Sequence, residues 1–267
     1  MKRNKTKQNE AKKMIKLMSH LVANYPTPEL SFAAAQALVE GGADILEVQL
    51  PFSDPSADGP VIQNACSMVL AGGATGEDAM SFIARLRKSF PEVKIAIMSY
   101  ASLIFTPGVD AFCKKASEAG VNAMIIPDLP FDCDEGLTVA CKKYGMENIP
   151  VAAPSMSDGR LQKMLDCGFK TVYAALRAGI TGTDTKVGAQ TVDFLKKLKR
   201  PNKSGIVPEI YGGFGIHGRE QAQVLEPYVE GVVAGSVFVR LIDAAAGYKD
   251  VLQKTISEKA KEIKGTV

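Results

Sequence analysis

Two carboxylates stand near each other in the sequence in very different company. Glu47 lies inside the apolar run DILEVQL (44–50), between Leu46 and Val48, whereas Asp58 lies in the loop PFSDPSADGP (51–60), which carries three prolines. Successive side chains of a strand point to opposite faces, so Glu47 faces either a lined interior cavity or an apolar helix layer. Only the cavity suits a carboxylate, and partial desolvation there raises a carboxyl pKa toward the range useful for proton transfer near neutral pH. Pro51, Pro55 and Pro60 stiffen the loop, which can then return Asp58 over the strand end toward the same cavity. Two carboxylates in different surroundings can divide acid and base roles. The competing use of a loop aspartate is to cap local backbone N–H groups, and Asp54 fits that use better than Asp58.

A second chemistry is written in glycine. GITGT (179–183), GGFGI (212–216) and AGSVF (234–238) each follow an apolar run, and the last opens a helical segment. Glycine lets backbone N–H groups approach an anion closely, and a helix N-terminus favours phosphate. Tight turning alone would also use these glycines. Three such loops in succession predict a phosphate pocket, with Gly182, Gly215, Gly235 and Ser236 supplying donors.

The elements that must position these groups follow from periodicity. Eight apolar runs recur: 16–23, 44–50, 94–100, 122–127, 149–154, 170–176, 205–211 and 230–236. They are nearly continuous, as expected for parallel strands covered on both faces. Amphipathic stretches lie between them, including 28–42, 108–120, 134–145 and 189–200, and several end in glycine. Eight strand-then-helix units without a Pro/Gly/Ser-rich linker predict a single α/β domain over 1–267, a (β/α)8 barrel with an extra helix at its basic N-terminus. An open doubly wound sheet is the alternative, but it leaves no obvious edge strand. In such a barrel the chemistry sits in loops after the strand ends, which is where the proline-rich and glycine-rich segments fall.

Composition narrows the classes. A chain of 267 residues with 46% hydrophobic and 23% charged residues suits a globular core, and a net charge of +3 with scattered lysines argues against nucleic acid. Five cysteines, widely spaced and without a CxxC pair, predict free thiols in a reducing compartment and no metal site. No apolar run approaches the ~20 residues of a membrane span, so a cytoplasmic protein without membrane contact is expected.

LEVQLPFSDPSADGPVIQ (46–63), GGAD (41–44), PDLP (127–130), YAALRAGITG (173–182) and GGFGI (212–216) together resemble the α subunit of tryptophan synthase, in order and over nearly the whole chain. The resemblance implies cleavage of indole-3-glycerol phosphate to indole and glyceraldehyde 3-phosphate, with no cofactor in this chain. It further implies a partner β subunit that carries pyridoxal phosphate, takes up the indole and forms an αββα heterotetramer. By the family's pattern Glu47 is the acid/base at indole C3 and the adjacent hydroxyl, and Asp58 holds the indole N–H. Tyr173 stands close to Glu47, Tyr100 lines the indole site, and Asp54 and Thr181 meet when the site closes. Asp54, Ser102 and Asp128 lie near the partner interface. Tyr173 also reads as an ordinary core aromatic.

The sequence departs from that pattern at four positions. Gln49 replaces a glycine on the same strand face as Glu47, where it would narrow the pocket or hydrogen-bond Glu47. Ser102 replaces an asparagine, Leu176 a serine, and His20 an apolar or aromatic lining residue, adding a third titratable group or a satisfied barrel histidine. Two other readings stay open at this level: a pocket that binds phosphate ligands mainly to regulate a partner, and a stand-alone lyase or other phosphate-handling barrel enzyme.

Overall fold

Near-continuous apolar runs need cover on both faces, and each of the eight becomes part of one parallel sheet in the computed structural model, which describes residues 14–176, 188–213, 215–245 and 247–266. The strands are β1 (Lys16–Val22), β2 (Ile45–Gln49), β3 (Lys94–Met98), β4 (Ala123–Ile125), β5 (Glu147–Asn148), β6 (Val151–Ala152), β7 (Thr171–Ala175), β8 (Glu209–Gly213) and β9 (Gly231–Ala234). Their order is β5-β4-β3-β2-β1-β9-β8-β7-β6, and β1 pairs with both β2 and β9.

β5 and β6 are two halves of one stave. Pro150 has no N–H to give a ladder, and it interrupts the strand between them. Ile149 N still donates to Met124 O at 2.8 Å on one side, while Pro150 O accepts from Tyr173 N at 3.0 Å on the other. Residues 147–152 thus touch both ends of the strand order and close the (β/α)8 barrel.

The sequence-based bounds need one clear correction. The seventh run was expected at 205–211, but β8 begins at Glu209 and continues through Gly213. Pro208 removes a donor, and Ile206 and Val207 ahead of it are exposed. Gly212 and Gly213 are strand residues because of what lies beside them: a Cβ on Gly213 would overlap the Tyr173 hydroxyl, and one on Gly212 would crowd Leu176. The expected extra N-terminal helix falls on residues 1–13, outside the described residues.

Helix starts are encoded locally. In α1 (Pro28–Glu40) the Thr27 side chain accepts from Leu30 N and Pro28 occupies the first turn. Thr75 and Asp78 form a reciprocal capping box on α3 (Gly76–Ser89). Glycines shape the joins as well: a Cβ on Gly41, which ends α1, would collide with Ala260 of α11 (Lys249–Lys264), so the last helix seats directly on the first.

Two apolar cores result. The larger lies between the sheet and the helix layer. The smaller fills the barrel lumen with Met18, Ile45, Ala96, Ala123, Ile149, Tyr211 and their neighbours, and forms a packed plug beneath the C-terminal strand ends.

Candidate active site

Strand register sets the site's first pair. β1 and β2 align His20 with Glu47 and Val22 with Gln49, so His20, Glu47 and Gln49 all rise from the lumen face above the apolar plug. His20 Nδ1 lies 3.3 Å from Glu47 Oε1, and both side chains are buried. Among the described residues Glu47 Oε2 and His20 Nε2 have no hydrogen-bond partner.

The loop after β2 then folds back over the strand end. Asp58 N donates to Pro55 O at 3.0 Å, and the Gln63 amide of α2 (Pro60–Ala71) donates to Asp58 O at 2.9 Å, which fixes the backbone at the aspartate. One carboxylate oxygen, Asp58 Oδ2, accepts from Tyr100 OH at 2.7 Å and from Gln49 Nε2 at 2.8 Å. Tyr100 in turn accepts from Ala57 N at 3.1 Å and stacks on Phe52, tying loop and β3 end together. Gln49 therefore reaches Asp58 and not Glu47. An amide two residues along a strand from Glu47 leans past it toward the returning loop, a geometry that strand alternation alone does not give.

Burial dominates the electrostatics. It raises the Asp58 carboxyl pKa, against the His20 charge and the Tyr100 and Gln49 hydrogen bonds that lower it. For His20, burial alone would lower the pKa, but the hydrogen bond and charge of Glu47, with Asp58 beyond, outweigh it and raise the imidazole above its ordinary 6.5. Burial, then the charges of Glu47 and Asp58, push the Tyr173 phenol well above its usual range, so it acts as a neutral group. Burial also pushes the Cys66 thiol beneath Gln49 up to about 11, which keeps it inert.

His20, Glu47, Asp58 and Tyr173 face a cavity that, counted with the solvent space it opens to, holds about 600 Å³ unfilled by protein atoms. Its polar side chains are His20, Glu47, Asp58, Tyr173 and Ser236; Met98, Ile125, Val151 and Val233 supply apolar walls. Gly215 and Gly235 bring backbone to the cavity. Gly215 sits at φ +82°, with its carbonyl held by Gln221, and Gly235 and Ser236 open α10 (Ser236–Ala244), whose first N–H groups have no acceptor within the helix.

A family model for the tryptophan synthase alpha chain matches residues 6–267. This chain belongs to the tryptophan synthase alpha chain family. It is 36% identical over 250 residues to the tryptophan synthase alpha chain of Methanosarcina acetivorans, covering 93% of this chain and 89% of that protein. The alpha chain of Helicobacter hepaticus is 38% identical over 231 residues, covering 85% of each. Among solved structures, a chain of Mycobacterium tuberculosis tryptophan synthase matches with a TM-score of 0.83 at 29% identity, over 96% of this chain and 94% of that one. A chain of the Pyrococcus furiosus tryptophan synthase α2β2 complex gives 0.83 at 27% identity, over 95% and 99%.

Within this tryptophan synthase alpha chain fold, Glu47, Asp58, Tyr173, Gly215, Gly235 and Ser236 converge on one cavity. Tyr100 is fully buried behind Asp58 and is not among the residues that line the cavity. Asp54 is exposed, its carboxylate taking the Ser53 hydroxyl at 2.6 Å. Asp128 accepts from Ala101 N at 3.0 Å and joins the loops after β4 and β3, with Ser102 exposed beside them. Thr181 and Gly182 lie outside the described residues. Sequence reasoning missed the apolar walls; their signal was the inward-facing last residues of the strands, since Gln49, Met98 and Ile125 stand in register around the barrel. Among the described residues no group of three or more His, Cys, Asp or Glu is arranged to hold a metal ion, and no helix is long and apolar enough to cross a membrane.

Proposed function

We propose that this chain, a lyase-family subunit of tryptophan synthesis, cleaves indole-3-glycerol phosphate to indole and glyceraldehyde 3-phosphate. The observation that carries the reading is the shared cavity, in which two buried carboxylates, apolar walls and the glycine-flanked start of a helix line one chamber. The phosphate rests on Gly215, Gly235 and Ser236, joined by Thr181 and Gly182, and the indole ring lies against the apolar walls. Asp58 accepts the indole N–H; Tyr100 serves the substrate site by holding Asp58 from behind. Glu47, with Oε1 turned to His20, uses Oε2 toward the substrate.

The chemistry is a proton relocation. Glu47, as the carboxylic acid, gives its proton to indole C3, and the carboxylate so formed takes the proton from the hydroxyl on the carbon bonded to C3. The carbonyl of glyceraldehyde 3-phosphate forms, the C3–carbon bond breaks, and its electron pair returns to the ring, giving indole. No redox partner is required, and no cofactor is assigned to this chain. Tyr173, a neutral phenol beside Glu47, donates within the same chamber. Each well-placed proton-transfer group contributes about 10²- to 10⁴-fold in rate.

The solved relative from Pyrococcus furiosus is an α2β2 complex. By analogy this single domain, residues 1–267, works in the cytoplasm in an αββα assembly, with Asp54, Ser102 and Asp128 at the β-facing side and pyridoxal phosphate in the β subunit. Closure of the site brings Asp54 to Thr181 and retains indole. The test is release of indole from indole-3-glycerol phosphate by the purified chain, with and without a β subunit. Turnover that rises with the partner supports the reading; binding of the substrate without turnover in either condition overturns it.

A further inference from the structure

Among the described residues that line the cavity, His20 is the one polar side chain whose presence the proposed reaction does not explain. It is 4% exposed, and the bond from its Nδ1 to Glu47 Oε1 uses only half of the ring. Nε2 is buried, has no partner among the described residues, and belongs to a side chain that lines the cavity. A buried ring nitrogen without a partner carries a desolvation cost, so an occupant that satisfies it is favoured over one that does not. Glu47 Oε2 is orphaned in the same chamber, so the site presents a matched donor and acceptor to whatever fills it.

The neighbours say which part of a ligand that is. Gly235 lies against the ring: a Cβ there would meet His20 Cβ at 3.2 Å and Cδ2, the atom next to Nε2, at 3.4 Å. His20 thus spans from the carboxylate on one side to the start of α10 on the other. The charged groups that face it are Glu47 from β2 and Asp58 from the following loop, both anionic when ionised; β7 contributes the neutral Tyr173, and β9 and α10 bring Val233, Gly235 and Ser236. This is a setting for a cationic ring, and a cation between a carboxylate and a helix N-terminus can hold an anionic or hydroxyl oxygen.

We propose that His20 is a substrate-binding and positioning residue: Nδ1–H orients Glu47, and Nε2–H donates to an oxygen on the phosphorylated three-carbon arm. This rests on the reading of the cavity as the site for a phosphorylated glycerol arm. Imidazolium supplies both donors at once, so arm binding is strongest below the raised His20 pKa and weakens as pH climbs through it.

The chain has two histidines, His20 and the exposed His217, so ring ¹⁵N resonances of the full chain can be followed one by one. The probe is glycerol 3-phosphate, titrated calorimetrically between pH 7 and 9, where its phosphate is already dianionic. Wild type is expected to lose roughly tenfold in affinity across that range, the worth of one charge-assisted hydrogen bond. His20→Phe is expected to bind about tenfold more weakly at pH 7 with a flat profile, and His20→Gln, with a neutral donor near the Nε2 position, to recover part of the affinity without the slope. In wild type, which needs no variant to fold, the probe should move the Nε2 resonance and raise the His20 midpoint. An unchanged His20 titration on binding, or wild-type affinity and slope in His20→Phe, overturns the assignment while leaving the phosphate site intact. Failure of wild type to bind the probe at any pH overturns both the assignment and the phosphate site beneath it.

Discussion

Asp58 depends on neighbours that no pairwise reading of the sequence supplies. Glu47 and Asp58 were legible as a pair from one apolar run and one proline-stiffened loop; the Gln49 and Tyr100 bonds to a single Asp58 oxygen were not, because they depend on how far the loop folds back. Both bonds favour the ionised carboxylate. Tyr100→Phe removes one of them, so the Asp58 pKa climbs further and the acid limb of kcat/KM against pH moves to higher pH. The expected loss is roughly tenfold at pH 6, about the worth of a hydrogen bond to a charged group, and smaller at pH 8. Stability moves in the opposite sense. A carboxyl whose folded pKa lies above its unfolded value carries a cost when ionised, present above the folded pKa and fading as pH falls toward the ordinary value of 3.8. Asp58→Asn should therefore raise Tm at pH 7, with the gain shrinking toward that lower pH, as thermal melts at several pH values would show.

At the scale of elements, the sequence carries the eight staves but not all of their ends. Pro150 and Pro208 explain both departures: one splits a stave while leaving barrel closure to Ile149 N and Pro150 O, and the other delays β8 until Glu209. Two glycines that read as loop are strand residues, since only the missing side chain at Gly213 leaves room for Tyr173. Gly213→Ala should cost about 1–3 kcal/mol by overpacking and shift Tyr173 in the chamber, lowering turnover as well as stability. Urea unfolding beside an activity assay would measure both. Thr75→Ala, which breaks the capping box of α3 far from the cavity, serves as the contrast: a loss of roughly 0.5–2 kcal/mol with kcat unchanged.

At the scale of the whole molecule, the order of loops around the barrel was the most legible feature, because parallel closure sends every strand-to-helix loop to one face. That face holds the carboxylates from β2 and its loop, and the helix start after β9, in the lining of one chamber. The departures at His20 and Gln49 were visible as odd residues, yet their effect was not, since each bonds a partner on another segment. A catalytic role for both carboxylates, with the fold and the exposed loops unaffected, predicts that Glu47→Gln and Asp58→Asn still co-sediment with a β subunit. The most direct test is single-turnover release of indole from saturating indole-3-glycerol phosphate by wild type and by these two variants in the complex. The expected result is a fall of at least about 10²-fold in rate for each variant; release within a few-fold of wild type in either would contradict the catalytic role given to that carboxylate.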